Sequence, residues 1–242
     1  MLLASCVSYL PPSSLHHDMV INRHAVIEDS LTTRSRIAYA EVHGLTSGYH
    51  HRRDPEMEDN RAASLRSGIS QADSLQSFGF SVGLTNGHMY DDDGNRYRHR
   101  NLIFRGSYAY DFHDGPWNGH IVKVQLAGSR GFGRYQSLLA ENFEERDRYN
   151  LAMADDRWLF SFGLGSQFFY DFSSPHDVGL GLFFIHSTDL QKEGFHAEYF
   201  NMTLDYVFQD RYSFTLGGMM DARFTPRGET LYLGLGYIYS FQ

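Results

Sequence analysis

The sequence predicts an all-β fold, a closed antiparallel transmembrane β-barrel of about eight strands, with ten possible, behind a polar N-terminal extension. Three observations carry that expectation. From residue 75 onward, apolar residues recur at every second position, the spacing that sends alternate side chains to opposite faces of a strand. The chain of 242 residues holds 19 Phe, 16 Tyr and 23 Gly, yet no run approaches the roughly 18 consecutive apolar residues of a membrane-spanning helix. The links between alternating segments are short and long in turn, as in barrels with tight turns at one end and loops at the other.

Alternation is clearest at the end of the chain. Leu231, Leu233, Leu235, Tyr237, Tyr239 and Phe241 share one parity, while Thr230, Gly234, Gly236 and Ser240 share the other. Further back, Tyr212, Phe214, Leu216, Met220 and Phe224 alternate with Ser213, Thr215, Asp221 and Arg223. Phe200, Met202, Leu204, Tyr206 and Phe208 alternate with Asn201, Thr203 and Asp205. The same pattern sets Trp158, Phe160 and Phe162 against Ser161 and Gly163, and Leu102, Phe104 and Tyr108 against Arg105 and Ser107. A soluble sandwich would make the polar face its wet outside; a barrel makes it the lumen. Arg105, Lys123, Asp205, Asp221 and Arg223 then point inward by parity, where opposite charges must pair to offset desolvation. Side chains just fill an interior of eight strands, so this set reads as packing and not as a solute path.

The short links are His113 to Pro116, Ser173 to Asp177 and Gln209-Asp210. The longer ones are Tyr90 to Tyr97, Ser129 to Asp155, Asp189 to Phe195 and Thr225 to Glu229. With an even strand number and both barrel ends in the periplasm, the longer links face outward, which implies the outer membrane of a Gram-negative bacterium. The alternating aromatic C-terminal strand resembles the signature of outer-membrane barrels, the segment through which the barrel assembly machinery would engage the chain. Trp117, Trp158, Tyr170, Tyr199 and Tyr239 are expected in interfacial girdles.

Residues 1–74 read as an N-terminal extension, with weak extended segments at Met19 to Ile27 and Arg36 to Thr46. If both pair, the count becomes ten. The stretch from His50 to about residue 74 has no apolar period and reads as a linker. A net charge of -8 with no long basic run argues against nucleic acid as a partner. The single cysteine, Cys6, excludes an intramolecular disulfide framework. Leu3-Ala4-Ser5-Cys6 resembles the lipobox of bacterial lipoproteins, which implies lipidation of Cys6, although only five residues precede it. A chance match to four residues is the equal alternative. No metal or cofactor is expected. Asp91-Asp92-Asp93-Gly94-Asn95 fails the calcium-loop spacing, and the His50-His51 run reads as solvated charge.

The segment from Val178 to Asp189, followed by Lys192 and Ala197-Glu198-Tyr199, resembles the lipid A 3-O-deacylase family. That family is an outer-membrane barrel that removes an acyl chain from lipopolysaccharide, with a His-x-Ser-Asn motif and a Glu on the next strand. The resemblance covers roughly thirty residues. It places His186 at the family's His, Thr188 at its Ser, Asp189 at its Asn and Glu198 at its Glu; the His and the Glu match by identity. Antiparallel pairing about a turn near residue 192 sets His186 opposite Glu198, with facing Cβ atoms about 4.5 to 5.5 Å apart. His186 and Thr188 share a parity, which suits a hydroxyl, base and orienter. The implied roles are Thr188 as nucleophile, His186 as general base, Glu198 as orienter and Asp189 in the oxyanion region, acting on outer-leaflet lipid or lipopolysaccharide. Two departures stand beside them: threonine is more hindered than serine, and Asp189 brings a negative charge where an oxyanion needs donors. The alternative is a non-enzymatic surface barrel for adhesion, envelope integrity or complex assembly, acting through the segment from Ser129 to Asp155.

Overall fold

The computed structural model describes residues 35–48, 59–73, 75–90, 96–133, 158–173, 176–189, 196–221 and 229–241. They form ten strands: β1 (Ser35–Gly48), β2 (Asp59–Ala72), β3 (Gln76–Tyr90), β4 (Arg96–Asp114), β5 (Trp117–Phe132), β6 (Trp158–Ser173), β7 (His176–Asp189), β8 (His196–Phe208), β9 (Tyr212–Asp221) and β10 (Glu229–Phe241). Each strand pairs antiparallel with its neighbours in sequence, and β1 pairs with β10, so the sheet closes into a barrel without an edge. Closure satisfies every wall strand on both sides, which a sheet in lipid requires.

The barrel therefore begins at Ser35 and not at residue 75. β1 matches the extended segment expected from Arg36 to Thr46, while Met19 to Ile27 lies outside the described residues. β2 occupies part of the stretch read as a linker. Its outward column holds Ala63, Leu65, Ser67 and Ile69 and its inward column Ser64, Arg66, Gly68 and Ser70. With two large apolar residues in the whole strand, the two faces hardly differ in polarity, and the period is invisible to a hydrophobic reading. The segments 49–58, 91–95, 134–157, 190–195 and 222–228 join strands at one end. The shorter links 73–75, 115–116, 174–175 and 209–211 lie at the other, beside both ends of the barrel chain. The short end is closed by tight backbone geometry: Gly115 takes φ 57°, and Gln209 and Asp210 both take φ 53°, the left-handed pair that a two-residue hairpin turn uses.

Outside, the expected apolar parity holds on every strand from β4 to β10, with Leu126, Phe160, Leu182, Leu204, Leu216 and Leu235 all exposed. An exposed apolar surface all round a closed sheet is the exterior of a barrel solvated by lipid and not by water. At the short end, the Trp117 ring meets Tyr170 edge-on at 4.8 Å, and Tyr170 meets Phe172 at the same distance. These form part of an aromatic girdle. Tyr199 is not in one: it is 4 % exposed and points into the barrel, because its neighbour Glu198 takes the outward position. A bulge in β5 sets Ile121 and Val122 side by side on the outer face, so that His120 and Lys123 both point inward.

The interior is packed with side chains. Arg105, Lys123 and Asp205 are buried there, as their parity requires. Leu45, Leu159, Phe183, Ile185, Met219 and Tyr232 form an apolar layer toward the end with the longer links. Ile37, Tyr39, Val207 and Ile238 form a smaller one toward the short end. Several interior rings lie across glycines directly opposite on the next strand: Tyr39 over Gly68, Tyr232 over Gly217, and Phe169 over Gly179. A Cβ at any of the three would collide with the ring. Bulk and absence of bulk are thus matched across the ladder, filling the narrow lumen to interior density.

Candidate functional site

β7 carries an outward apolar column of Leu180, Leu182 and Phe184, and β8 carries one of Tyr206, Leu204, Met202 and Phe200. Both columns change character at the same height. The next outward residues are His186 and Glu198, which are direct cross-strand partners. His186 Nδ1 lies 3.6 Å from Glu198 Oε1, with the side chains 36 % and 49 % exposed. That separation is an ion-pair contact when the imidazole is protonated, and it exceeds the 2.7–3.2 Å of a formed hydrogen bond. Glu198 therefore stands beside the imidazole without a formed hydrogen bond to it. Thr188 has the same parity, with Phe160 and His196 as its ladder partners, and Asp189 pairs with Leu159 at the end of β7. The side chains of Thr188 and Asp189 lie outside the described part of the structure.

A second set of polar residues lies inside the wall. Arg66 donates from Nη1 to Glu41 Oε2 at 3.2 Å, and His43 Nε2 meets the same oxygen at 3.2 Å. Thr215 donates to Asp205 at 2.7 Å, and Tyr232 donates to Asn201 at 3.0 Å. Near the short end, His120 Nδ1 lies 2.6 Å from Asp111 Oδ1, and Ser77 donates to that same oxygen at 3.0 Å. Serine, aspartate and histidine are in contact here, but the hydroxyl bonds the carboxylate and not the imidazole, so the base required of a nucleophilic triad does not touch its serine. All three are fully buried. Reading by period missed Glu41, His43 and Arg66 because β1 and β2 lay in the segment taken as an extension. The parity signal for Asp111 was present, and no spacing rule pairs it with His120.

Charged side chains with no exposed surface also bear on transport. Arg66 and Lys123 are 1 % and 0 % exposed, whereas residues lining a water-filled pore remain accessible. The described interior is packed with side chains. Among the described residues, no group of three or more His, Cys, Asp or Glu side chains is placed to hold a metal ion. Asp221 is the ladder partner of Tyr199, and its side chain lies outside the described part. Cys6, the His50-His51 pair, the Asp91 to Asp93 run, Arg223 and most of the segment from Ser129 to Asp155 also lie outside the described residues.

No family model matches the chain, and no curated protein matches it. Among solved structures, the chain is similar to an outer-membrane channel from Pseudomonas putida F1, at 12 % identity over 89 % of this chain and 100 % of that one, with a TM-score of 0.44. It is also similar to the β domain of a Bordetella autotransporter, at 12 % identity over 86 % and 100 % with a TM-score of 0.47. A third is the outer-membrane protease OmpT from Escherichia coli, at 10 % identity over 86 % and 96 % with a TM-score of 0.39. At these values the similarities carry no argument about activity. The barrel assignment rests on the closed ladder and the apolar exterior.

Proposed function

We propose that this chain is an outer-membrane barrel of a Gram-negative bacterium whose outward-facing rim hydrolyses acyl esters of outer-leaflet lipid. The observation that supports this reading is the cross-strand pair of His186 and Glu198, which faces outward where the apolar columns of β7 and β8 end. A polar pair on the lipid-facing wall is costly at the membrane centre and tolerable at its interface, the depth at which the ester bonds of a membrane lipid lie. In this reading His186 takes the hydroxyl proton of Thr188 as the oxygen attacks the ester carbonyl. The lipid alcohol departs with a proton returned from the imidazole, and water then releases the fatty acid from Thr188 by the same steps in reverse. Glu198, facing the ring across the ladder, is the orienting carboxylate of this arrangement.

The second reading, a non-enzymatic surface barrel, is favoured by one specific observation: Asp189 stands where the resembled family has Asn, and a carboxylate offers a developing oxyanion no donor. Mass spectrometry of lipid A from cells with and without the protein separates the two. The hydrolase reading expects loss of one acyl chain, abolished by His186→Ala, Glu198→Ala and Thr188→Val and retained or increased by Thr188→Ser. Unchanged lipid A in cells carrying the folded wild-type barrel establishes the non-enzymatic reading.

A further inference from the structure

The outward columns of β2, β4 and β5 also change character toward the end with the longer links, and they change to arginine. On β4, Arg96, Arg98 and Arg100 occupy three successive outward positions above Leu102 and Phe104. On β5, Arg130 follows Leu126, and its guanidinium lies 5.5 Å from the centre of the Phe132 ring. β2 contributes Arg61, whose ladder partner His88 on β3 is in turn the partner of Arg98. Same-face residues on one strand lie about 7 Å apart and facing residues on adjacent strands about 5 Å apart, so these cations repel one another at close range.

The hydrogen bonds of Arg96 and Arg98 do not remove their charge. Arg96 bonds His88 Nδ1 at 3.0 Å, and Arg98 donates to Asn86 Oδ1 at 3.0 Å, both neutral acceptors. Among the described side chains, β3, β4 and β5 present no carboxylate on their outward faces at this end; Asp59 shares the parity of Arg61 on β2, and its side chain lies outside the described part. Beside these arginines runs a groove of about 660 Å³, headed by Arg61 and His88 and walled by Leu231 and Leu233. It has Gly44 and Ala63 between, and a Cβ built at Gly44 meets nothing within 4 Å.

From this juxtaposition of outward-facing arginines and an apolar groove, we infer that the β2–β5 rim binds a phosphorylated lipid of the outer leaflet, its phosphates on the arginines and an acyl chain in the groove beside them. Charge complementarity selects the occupant. Guanidinium forks match phosphate oxygens bidentately, and clustered arginines facing a membrane at the edge of its apolar belt meet headgroup phosphate first. The inference rests on the outer-membrane reading but not on the hydrolase.

The test uses the full chain refolded in detergent, with folding scored separately by faster migration of unheated protein on SDS gels. Native mass spectrometry then counts retained lipid, with bis-phosphorylated lipid A, its dephosphorylated form and inorganic phosphate as probes. The expected result is retention of the phosphorylated lipid, at least tenfold weaker binding of the dephosphorylated one, and no competition by millimolar phosphate. The triple variant Arg98→Gln, Arg100→Gln, Arg130→Gln should weaken retention at least tenfold, as loss of several charge-assisted contacts requires. Gly44→Leu should weaken it by filling the groove, while Arg36→Gln at the opposite end should not. Equal retention of both lipids, or by the triple variant, overturns the inference while the barrel stands, as does displacement by free phosphate. A chain that stays soluble without detergent and shows no heat-dependent mobility overturns the outer-membrane reading, and this inference with it.

Discussion

Arg66 and Glu41 are direct ladder partners on β2 and β1, and their side chains meet inside the barrel at 3.2 Å with almost no exposed surface. Two charges in such a place are costly singly and tolerable together. Arg66→Ala should therefore destabilise the barrel by about 3 to 5 kcal/mol, because Glu41 remains buried beside His43 of its own strand without its cationic partner. The double variant Arg66→Met, Glu41→Leu should recover most of that loss. Urea unfolding from lipid vesicles, followed by tryptophan fluorescence, measures both. A double variant as unstable as the single one would show that the pair's worth lies in packing and not in charge.

Leu126 lies on the outer face of β5 and is 61 % exposed. If that face is solvated by lipid, Leu126→Arg should cost about 2 to 4 kcal/mol, as a cation does near the middle of a bilayer. Leu126→Phe should be close to neutral in the same unfolding experiment. An arginine tolerated without cost would mean that this wall meets water.

Gly217 lies beneath the ring of Tyr232, whose hydroxyl donates to Asn201 at 3.0 Å. Gly217→Val should displace the ring and break that bond, a loss of about 2 to 4 kcal/mol when overpacking and an unmade buried hydrogen bond are taken together. At Gly106, where an added Cβ meets nothing within 4 Å, the same substitution should change stability by less than about 1 kcal/mol. Comparable losses at the two positions would argue that backbone freedom, and not the ring, demands glycine.

These residues also show what sequence could and could not reveal. Leu126, Leu216 and Leu235 declare their face because each lies in a long alternating column, and period 2 is a local property. The facing of His186 and Glu198 was legible for the same reason: antiparallel pairing about a link centred near residue 192 sets the register, and register fixes partners. The fit of Tyr232 over Gly217 was hidden because it joins two residues across a hairpin where either alone is unremarkable. β2 was hidden by composition, since Ser67 and Ala63 fill lipid-facing positions that a hydrophobic scan expects to be large. The arginines of β4 escaped notice because an alternating Arg-x-Arg-x-Arg run reads as a charged loop until β4 is seen to extend through it.

The ladder that closes the wall has a bearing on the timing of assembly. Arg36 pairs with Phe241, and Gly48 with Glu229, so the first strand of the barrel finds its partner only in the last. Every other pairing joins neighbours in sequence and can form as the chain emerges. Until β10 is made, β1 presents a bare row of amide and carbonyl groups, each costing several kcal/mol against hydrocarbon and each able to recruit a strand from another chain. Insertion into the membrane therefore has to wait until β10 is available or take place with β1 held by something else. For this protein, the last strand of the barrel decides when the first stops being a hazard.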